Sequence, residues 1–231
     1  MASLTKNKSN DAKKVIFAWS GGKDSSMALD EISRRPDVRV VALLTTVTRD
    51  YKRISMHGVR ETLLERQARS IGAPLEKVFI SKNSSNEEYE AGMRTLLLKY
   101  KAEGAESVAF GDIFLEDLKK YREDNLAKIG MSGIFPIWKK DSKELAKGFV
   151  KKGFKAIITC VDTDKLDARF AGRLFDEGFL SELPATVDPC GENGEFHSFA
   201  FDGPIFKTPV EFKIGETVLR DSRFNYCDLL D

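Results

Sequence analysis

Three observations predict an α/β fold built on a doubly wound, parallel, five-stranded sheet, followed by a smaller α+β part. Short β-rich runs alternate with amphipathic helical stretches from residue 14 to about residue 138, the pattern of right-handed βαβ crossovers. One run, residues 38–47, is almost continuously apolar, as a strand buried on both faces of a parallel sheet must be. After Trp138 the alternation fades, and eleven of the sixteen Phe lie beyond residue 148.

Each element has its own warrant. Residues 14–19 (KKVIFAW ends here) form a short apolar strand that stops at a Ser-Gly-Gly turn. The helix over 25–35 carries Met27, Leu29 and Ile32 on one face and is stopped by Pro36. After the strand 38–47, a helix over 59–71 ends at Gly72 and Pro74. A strand at 77–80, a long helix at 86–102, a strand at 107–111, a helix at 115–129 and a strand at 134–137 complete the five-strand, four-helix alternation. Beyond it come a strand at 156–161, a Pro/Gly-rich stretch at 183–209 and short strands at 211–213 and 217–220. The domain reading is a tail over 1–13, a first domain over 14–139 and a second over 140–231.

Composition narrows the classes. The 231 residues carry 37 Lys+Arg against 36 Asp+Glu, a net charge of +1. That balance argues against a general nucleic-acid coat. Nothing approaches the roughly 20 apolar residues of a membrane span. The start is polar and lysine-rich, unlike a secretory signal. Cys160, Cys190 and Cys227 are widely spaced, with only two histidines in the chain, so neither a disulfide framework nor a Cys- or His-rich metal site is expected. A reduced, cytoplasmic protein follows.

The sharpest chemical signal is Ser20-Gly21-Gly22-Lys23-Asp24-Ser25, between a buried strand and a helix. Glycines there let backbone N–H groups close on an anion, and the helix start adds unpaired donors and a positive dipole end. Lys23 offers a mobile cation, and Ser20 and Ser25 offer hydroxyls. Asp24 stands where a Walker A loop needs Ser or Thr, so this is a different phosphate loop. Gly111-Asp112-Ile113 ends the fourth strand, where such sheets place ligands. His57 lies in Ser55-Met56-His57-Gly58, ahead of the second long helix. Between Asp188 and His197, Glu192, Asn193, Gly194 and Glu195 join the imidazole around a glycine turn. Singly, of the last three segments, the first and last read equally well as a strand-ending turn and a polar hairpin, and an isolated histidine such as His57 is more often structural than catalytic. The charged runs at 119–124 and 151–152 read as solvated helix faces.

The SGGKDS string resembles the PP-loop of the ATP pyrophosphatase superfamily. With the GDI segment, the GENGEFH turn, and Asp202-Gly203-Pro204 with Phe206, the chain resembles the diphthine–ammonia ligase family, over about residues 14–206. The resemblance implies a Rossmann-like, adenine nucleotide alpha-hydrolase-like first domain. It implies an ATP-dependent, AMP-forming ligase that adenylates a carboxylate, carried on a protein, and amidates it with ammonia or a small amine. In the family that acceptor is the diphthine of translation elongation factor 2. ATP and Mg2+ are the implied cofactors, with Asp24 on the metal. Ser20, Gly21, Gly22, Lys23, Asp24, Ser25, His57, Gly111 and Asp112 would hold the nucleotide. Tyr121, Arg122, Glu192, Asn193, Gly194 and Glu195 would face the acceptor, and Lys23, Asp24, Glu192, Glu195 and His197 would be catalytic. The chain departs from the eukaryotic and archaeal pattern where Leu115, Asp117 and Leu118 replace a Ser-x-Tyr-Gln segment and Met56-His57-Gly58 replaces a Tyr-His-Thr-like run. These departures resemble the bacterial branch and fall where acceptor recognition is expected. Two other readings stand beside the ligase: a nucleotide-binding sensor, and a hydrolysing or thiolation-type enzyme using Cys190. Oligomeric state is left open, a homodimer included.

Overall fold

The computed structural model describes residues 11–54, 58–82 and 84–231. Strand β1 (Lys13–Ala18) is central, with Val15, Ile16 and Phe17 fully buried. It pairs in parallel with β2 (Val38–Thr48) on one side and β5 (Ala105–Ala109) on the other. Outside them lie β4 (Leu75–Ile80) on β2 and β6 (Ser132–Ile134) on β5, both parallel. The five parallel strands therefore run in the order β4-β2-β1-β5-β6. The two-residue β3 (Arg53–Ile54) adds antiparallel to the end of β2.

Helices α1 (Lys23–Ser33) and α2 (Glu61–Ile71) cover one face, contributing Leu29, Ile32, Leu63 and Leu64 to the larger core. Helices α3 (Asn86–Ala102) and α4 (Glu116–Ala127) cover the other through Leu97, Tyr100 and Leu126. The sheet is thus wound in both directions from β1. Its order reverses between β1 and β5, and the carboxyl ends of those strands open the crevice where such sheets bind ligands.

After β6 come α5 (Ser142–Lys151) and a four-stranded antiparallel sheet in the order β8-β7-β10-β9. Its strands are β7 (Lys155–Asp162), β8 (Phe196–Asp202), β9 (Lys213–Arg220) and β10 (Phe224–Leu230). A short helix, α6 (Glu177–Glu182), precedes β8. Phe149, Phe170, Phe175, Phe179, Phe196 and Phe199 are buried in the same apolar cluster as Trp19, Leu29 and Leu64. The Phe-rich second half is therefore core, and that core is shared with the first sheet.

Most element ends shift by a residue or two, and four differences from the sequence expectation matter for packing and for the site. The fifth strand lies at Ser132–Ile134, not 134–137. Phe135 stacks on Phe110 at 5.4 Å and Ile137 is buried from within a turn, so those apolar residues serve packing rather than pairing. Helix α1 begins two residues early, which puts Lys23 and Asp24 in its first turn. The Pro/Gly-rich stretch 183–209 contains the strand β8. The strand expected at 217–220 is the end of an eight-residue strand, β9, which begins at Lys213 and leaves 211–212 outside any strand, and the β10 that pairs with it was not anticipated.

Candidate active site

The crevice at the switch point is a cavity of about 590 Å3. One wall is the loop that leaves β1. Its N-cap residue is Gly22, which has no side chain with which to cap α1; the Lys23 amide is taken by Ser198, and the Asp24 and Ser25 amides remain for a ligand. Hydroxyls organise the loop from inside. Gly22 N–H donates to Ser20 Oγ (3.3 Å), Ser20 Oγ donates to Ser25 Oγ (3.1 Å), and Ser25 and Ser26 both donate to the Gly22 carbonyl (2.9 Å). Gly21 is required by geometry: its φ is +78°, and a Cβ there would stand 2.8 Å from Gln67 Oε1.

Gln67, on α2 and fully buried, ties the loop to both sheets. It accepts from Trp19 Nε1 (2.9 Å) and donates to the Gly21 (2.9 Å) and Ala200 (2.6 Å) carbonyls. Ala200 N–H in turn donates to the Gly21 carbonyl (2.8 Å), and Lys23 N–H donates to Ser198 Oγ (3.2 Å). Strand β8 is thereby seated on the phosphate-type loop. The chemistry of one half is built against the other.

Lys23 corrects an expectation. It is buried rather than mobile, its Nζ donating to Asp24 Oδ2 (2.9 Å) and to the Cys190 carbonyl. The ammonium also lies over the Phe196 ring at 5.0 Å and the Phe175 ring at 5.8 Å. Burial would push its pKa down, but Asp24, with Glu192 adding to it, outweighs this and holds it above the usual lysine value. Lys23 thus clamps the 188–197 turn while its side chain borders the cavity. Burial pushes the Asp24 carboxyl up against the pull of Lys23, and Asp188 pushes it further.

The facing wall comes from that turn. Glu192 lines the cavity and crosses it, its Oε1 accepting from Ile113 N–H at 2.8 Å. Burial first, then Asp24 and Asp112, push its carboxyl up to about 7, against the opposing hydrogen bond from Ile113. His197, on β8, lines the same cavity, and burial together with Lys23 pushes it down to about 4. Its imidazole is thus held in the neutral form at pH 7. Gly111 packs so closely on α1 that a Cβ would meet Ser25 N and Cα at 3.0 Å. Asp112 follows it and pairs with Arg122, whose Nη2 donates to Oδ1 (3.0 Å) and whose Nε lies 2.8 Å from Oδ2.

Other expected site residues turn away. Glu195 is buried within its own turn, its Oε1 accepting from Asp188 N–H (3.0 Å) and Asn193 Nδ2 (3.2 Å). It shapes the turn instead of facing the cavity, and Asn193 is exposed. Gly194 does line the cavity. Tyr121 reaches α3, donating to Glu90 at 2.8 Å, so it is a helix–helix contact and not a cavity residue. His57 lies outside the described residues. Among the described residues, no group of three or more His, Cys, Asp or Glu is arranged to hold a metal by itself. None of their helices is long and apolar enough to cross a membrane.

Sequence reading missed Ser198 and Gln67, which order the loop, and an entire end of the cavity. That end includes Thr45 and Thr46 at the tip of β2, and Ser84, Ser85, Asn86, Tyr89 and Met93 at the start of α3. The switch-point rule points to the β2 tip, since every carboxyl end near β1 borders the crevice. Nothing local marks the α3 residues.

Comparison with known proteins matches residues 13–133 to a family described as the diphthamide synthase N-terminal domain and residues 141–228 to the diphthamide synthase C-terminal domain. Similar curated proteins carry the name diphthine–ammonia ligase. That of Mus musculus is 26% identical over 231 residues, covering 90% of this chain and 86% of its own. The Rattus norvegicus protein is 28% identical over 159 residues, covering 65% and 58%, and the Homo sapiens protein 26% over 157 residues, also 65% and 58%. The matched stretch thus spans a little over half the length of the rat and human relatives.

Proposed function

The chain belongs to the diphthamide synthase family, and on that premise we propose that it is an ATP-dependent, AMP-forming ligase that amidates a carboxylate with ammonia. The acceptor proposed is the one its relatives' name specifies, a diphthine side chain, presented by translation elongation factor 2. The carrying observation is the pairing of an anion-cradling helix start with a carboxyl near 7 across one cavity. A division of labour near residue 140 is supported by the two family matches, which meet there.

Seated on the Asp24 and Ser25 amides, the β,γ-phosphates gain donors where charge develops as pyrophosphate leaves. An acceptor carboxylate oxygen attacks the α-phosphorus. The C–O–P bond forms, the bond to the β-phosphate oxygen breaks, and pyrophosphate departs with the electron pair. Ammonia then attacks the acyl carbon, the new C–N bond displaces AMP, and the nitrogen gives up a proton. Glu192 is the base for that proton: with its carboxyl near 7, it is ionised in about half the molecules at neutral pH. The neutral His197 ring holds a hydrogen-bonding wall beside it.

Magnesium fits this donor set. Asp24, Asp112 and Glu192 line one cavity; burial pushes Asp24 and Glu192 up, with Asp188 adding to the first and Asp24 and Asp112 to the second, a concentration of negative charge that a cation relieves. Asp24 would hold it, with phosphate oxygens completing the shell, and the ion would spread the charge of the phosphates. A thiolation-type reading has less support. The Cys190 thiol donates to the Ser142 carbonyl at 3.3 Å and burial pushes it up, so it is a poor nucleophile. The three cysteines are buried and unpaired, which supports a reducing cytoplasmic setting.

The test is product analysis with ATP, ammonium and diphthine-bearing elongation factor 2. AMP, pyrophosphate and an amidated acceptor are expected only when all three are present. ADP and phosphate as products, or AMP without dependence on ammonium or acceptor, overturn the proposal.

A further inference from the structure

The second sheet has two edges, and they differ. Strand β8 lies against the loop that leaves β1, with Ala200 N–H on the Gly21 carbonyl. Strand β9, at the other edge, is exposed at every residue except half-buried Gly215. Of the eight large apolar side chains exposed among the described residues, three, Ile214, Val218 and Leu219, fall within six residues of this one strand. Leu219 opposes buried Asn225 on the core side of the sheet, yet it is 56% exposed, because the apolar cluster takes residues from β10 and none from β9. An edge strand offers a row of unpaired N–H and C=O groups, and apolar side chains along it make it adhesive. None of its residues lines the cavity.

The charges on β9 are self-complementary. Glu216, Val218 and Arg220 alternate onto one face, where Val218 and Arg220 oppose Tyr226 and Phe224 of β10. Opposed residues of an antiparallel pair turn their N–H and C=O groups the same way, toward the neighbour or away from it. A strand pairing with its own copy about a two-fold axis therefore opposes only residues an even number apart. Centred on Glu216, such a pairing sets like charges against each other; centred on Thr217, it sets Glu216 against Val218. Centred on Val218, it sets Glu216 against Arg220 on both sides of the axis, Val218 against Val218, and Thr217 against Leu219. We propose that β9 is an interface on which a second copy of this chain pairs antiparallel about Val218, forming a symmetric dimer. The two four-stranded sheets then join into one of eight strands. The contact uses the same patch on both chains, so assembly closes at two. An edge contact this small is reversible rather than obligate. The inference stands apart from the ligase reading, since it uses no residue of the cavity.

The experiment is sedimentation velocity over a dilution series of the full chain. Wild type is expected to sediment as two chains at high concentration and as one on dilution. Glu216→Arg and Arg220→Glu each set like charges opposite one another and are expected to weaken the dimer about tenfold or more. The double exchange restores the pairing and is expected to return the dimer to within about threefold of wild type. Val218→Lys sets two charges against each other on the axis and is expected to leave single chains. All three side chains are exposed, so the fold is kept. Each variant is therefore expected to bind a non-hydrolysable ATP analogue within about twofold of wild type. A wild type that is monomeric throughout, a dimer that neither single exchange weakens, or a double exchange that brings no recovery overturns the interface.

Discussion

Glu192 and His197 show how burial sets the chemistry of one side chain at a time. Both titrate away from their usual values, in opposite senses, because each disfavours its charged form in the same cavity. For Glu192 the folded-state value of about 7 lies above the ordinary carboxylic value of 4.5. The folded state thus binds that proton more tightly, and stability falls as pH rises from about 4.5 through 7. Glu192→Gln keeps an acceptor for Ile113 N–H and removes the charge. Its melting temperature is expected to exceed wild type at pH 8, with the gap closing at pH 4.5, while amide formation is lost. A melting gap that does not change with pH would show that the carboxyl is not raised. His197 works in reverse, its contribution present above about 6.5 and lost as pH falls through 4. Lys23 is charged but occupied, so its removal acts on the docking of the 188–197 turn as well as on phosphates.

Among elements, the junction of the β5 loop with the start of α1 decides whether the phosphate site exists. Gly111 permits backbone to pass where any side chain would collide with Ser25. Gly111→Ala is expected to push the Asp112 loop from the helix start and weaken ATP-analogue binding about tenfold or more, near 1.4 kcal/mol. Equilibrium titration checks this, and unchanged affinity would mean the contact is slack. Strand β8 holds the loop from the other side through Ser198 and Ala200. It hides in a Pro/Gly-rich stretch because its neighbours, not its flanks, make it a strand: residues 155–161 of β7 supply its pairing.

Across the whole molecule, one apolar cluster runs from Trp19 and Leu64 to Phe179 and Phe199, so one face of the parallel sheet shares its interior with the second sheet, while α3 and α4 close a separate cluster on the other face. Unfolding is expected to be a single transition by calorimetry. An ATP analogue at one hundred times its dissociation constant should add about 2.7 kcal/mol, by mass action on the native state. For a chain of this size that is an upward shift of about 5–10 °C. Two transitions, with only the first moved by nucleotide, would disprove the shared core.

Local chemistry alone determined the parallel sheet, its helices and the anion loop. Apolar runs, helix periodicity and a glycine turn are short-range signals that act the same way wherever the chain carries them. The family resemblance marked Glu192 and Arg122 as facing the acceptor, and placed Glu195 and Tyr121 beside them on equal terms, while charge alone made 119–124 a solvated helix face. Only the tertiary structure separated these pairs. Glu195 is spent inside its turn and Tyr121 on α3, while Glu192 and Arg122 reach the cavity. It also made Lys23 a clamp and His197 a neutral ring, because a side chain's charge and freedom depend on burial and on partners distant in sequence, such as Cys190 opposite Lys23.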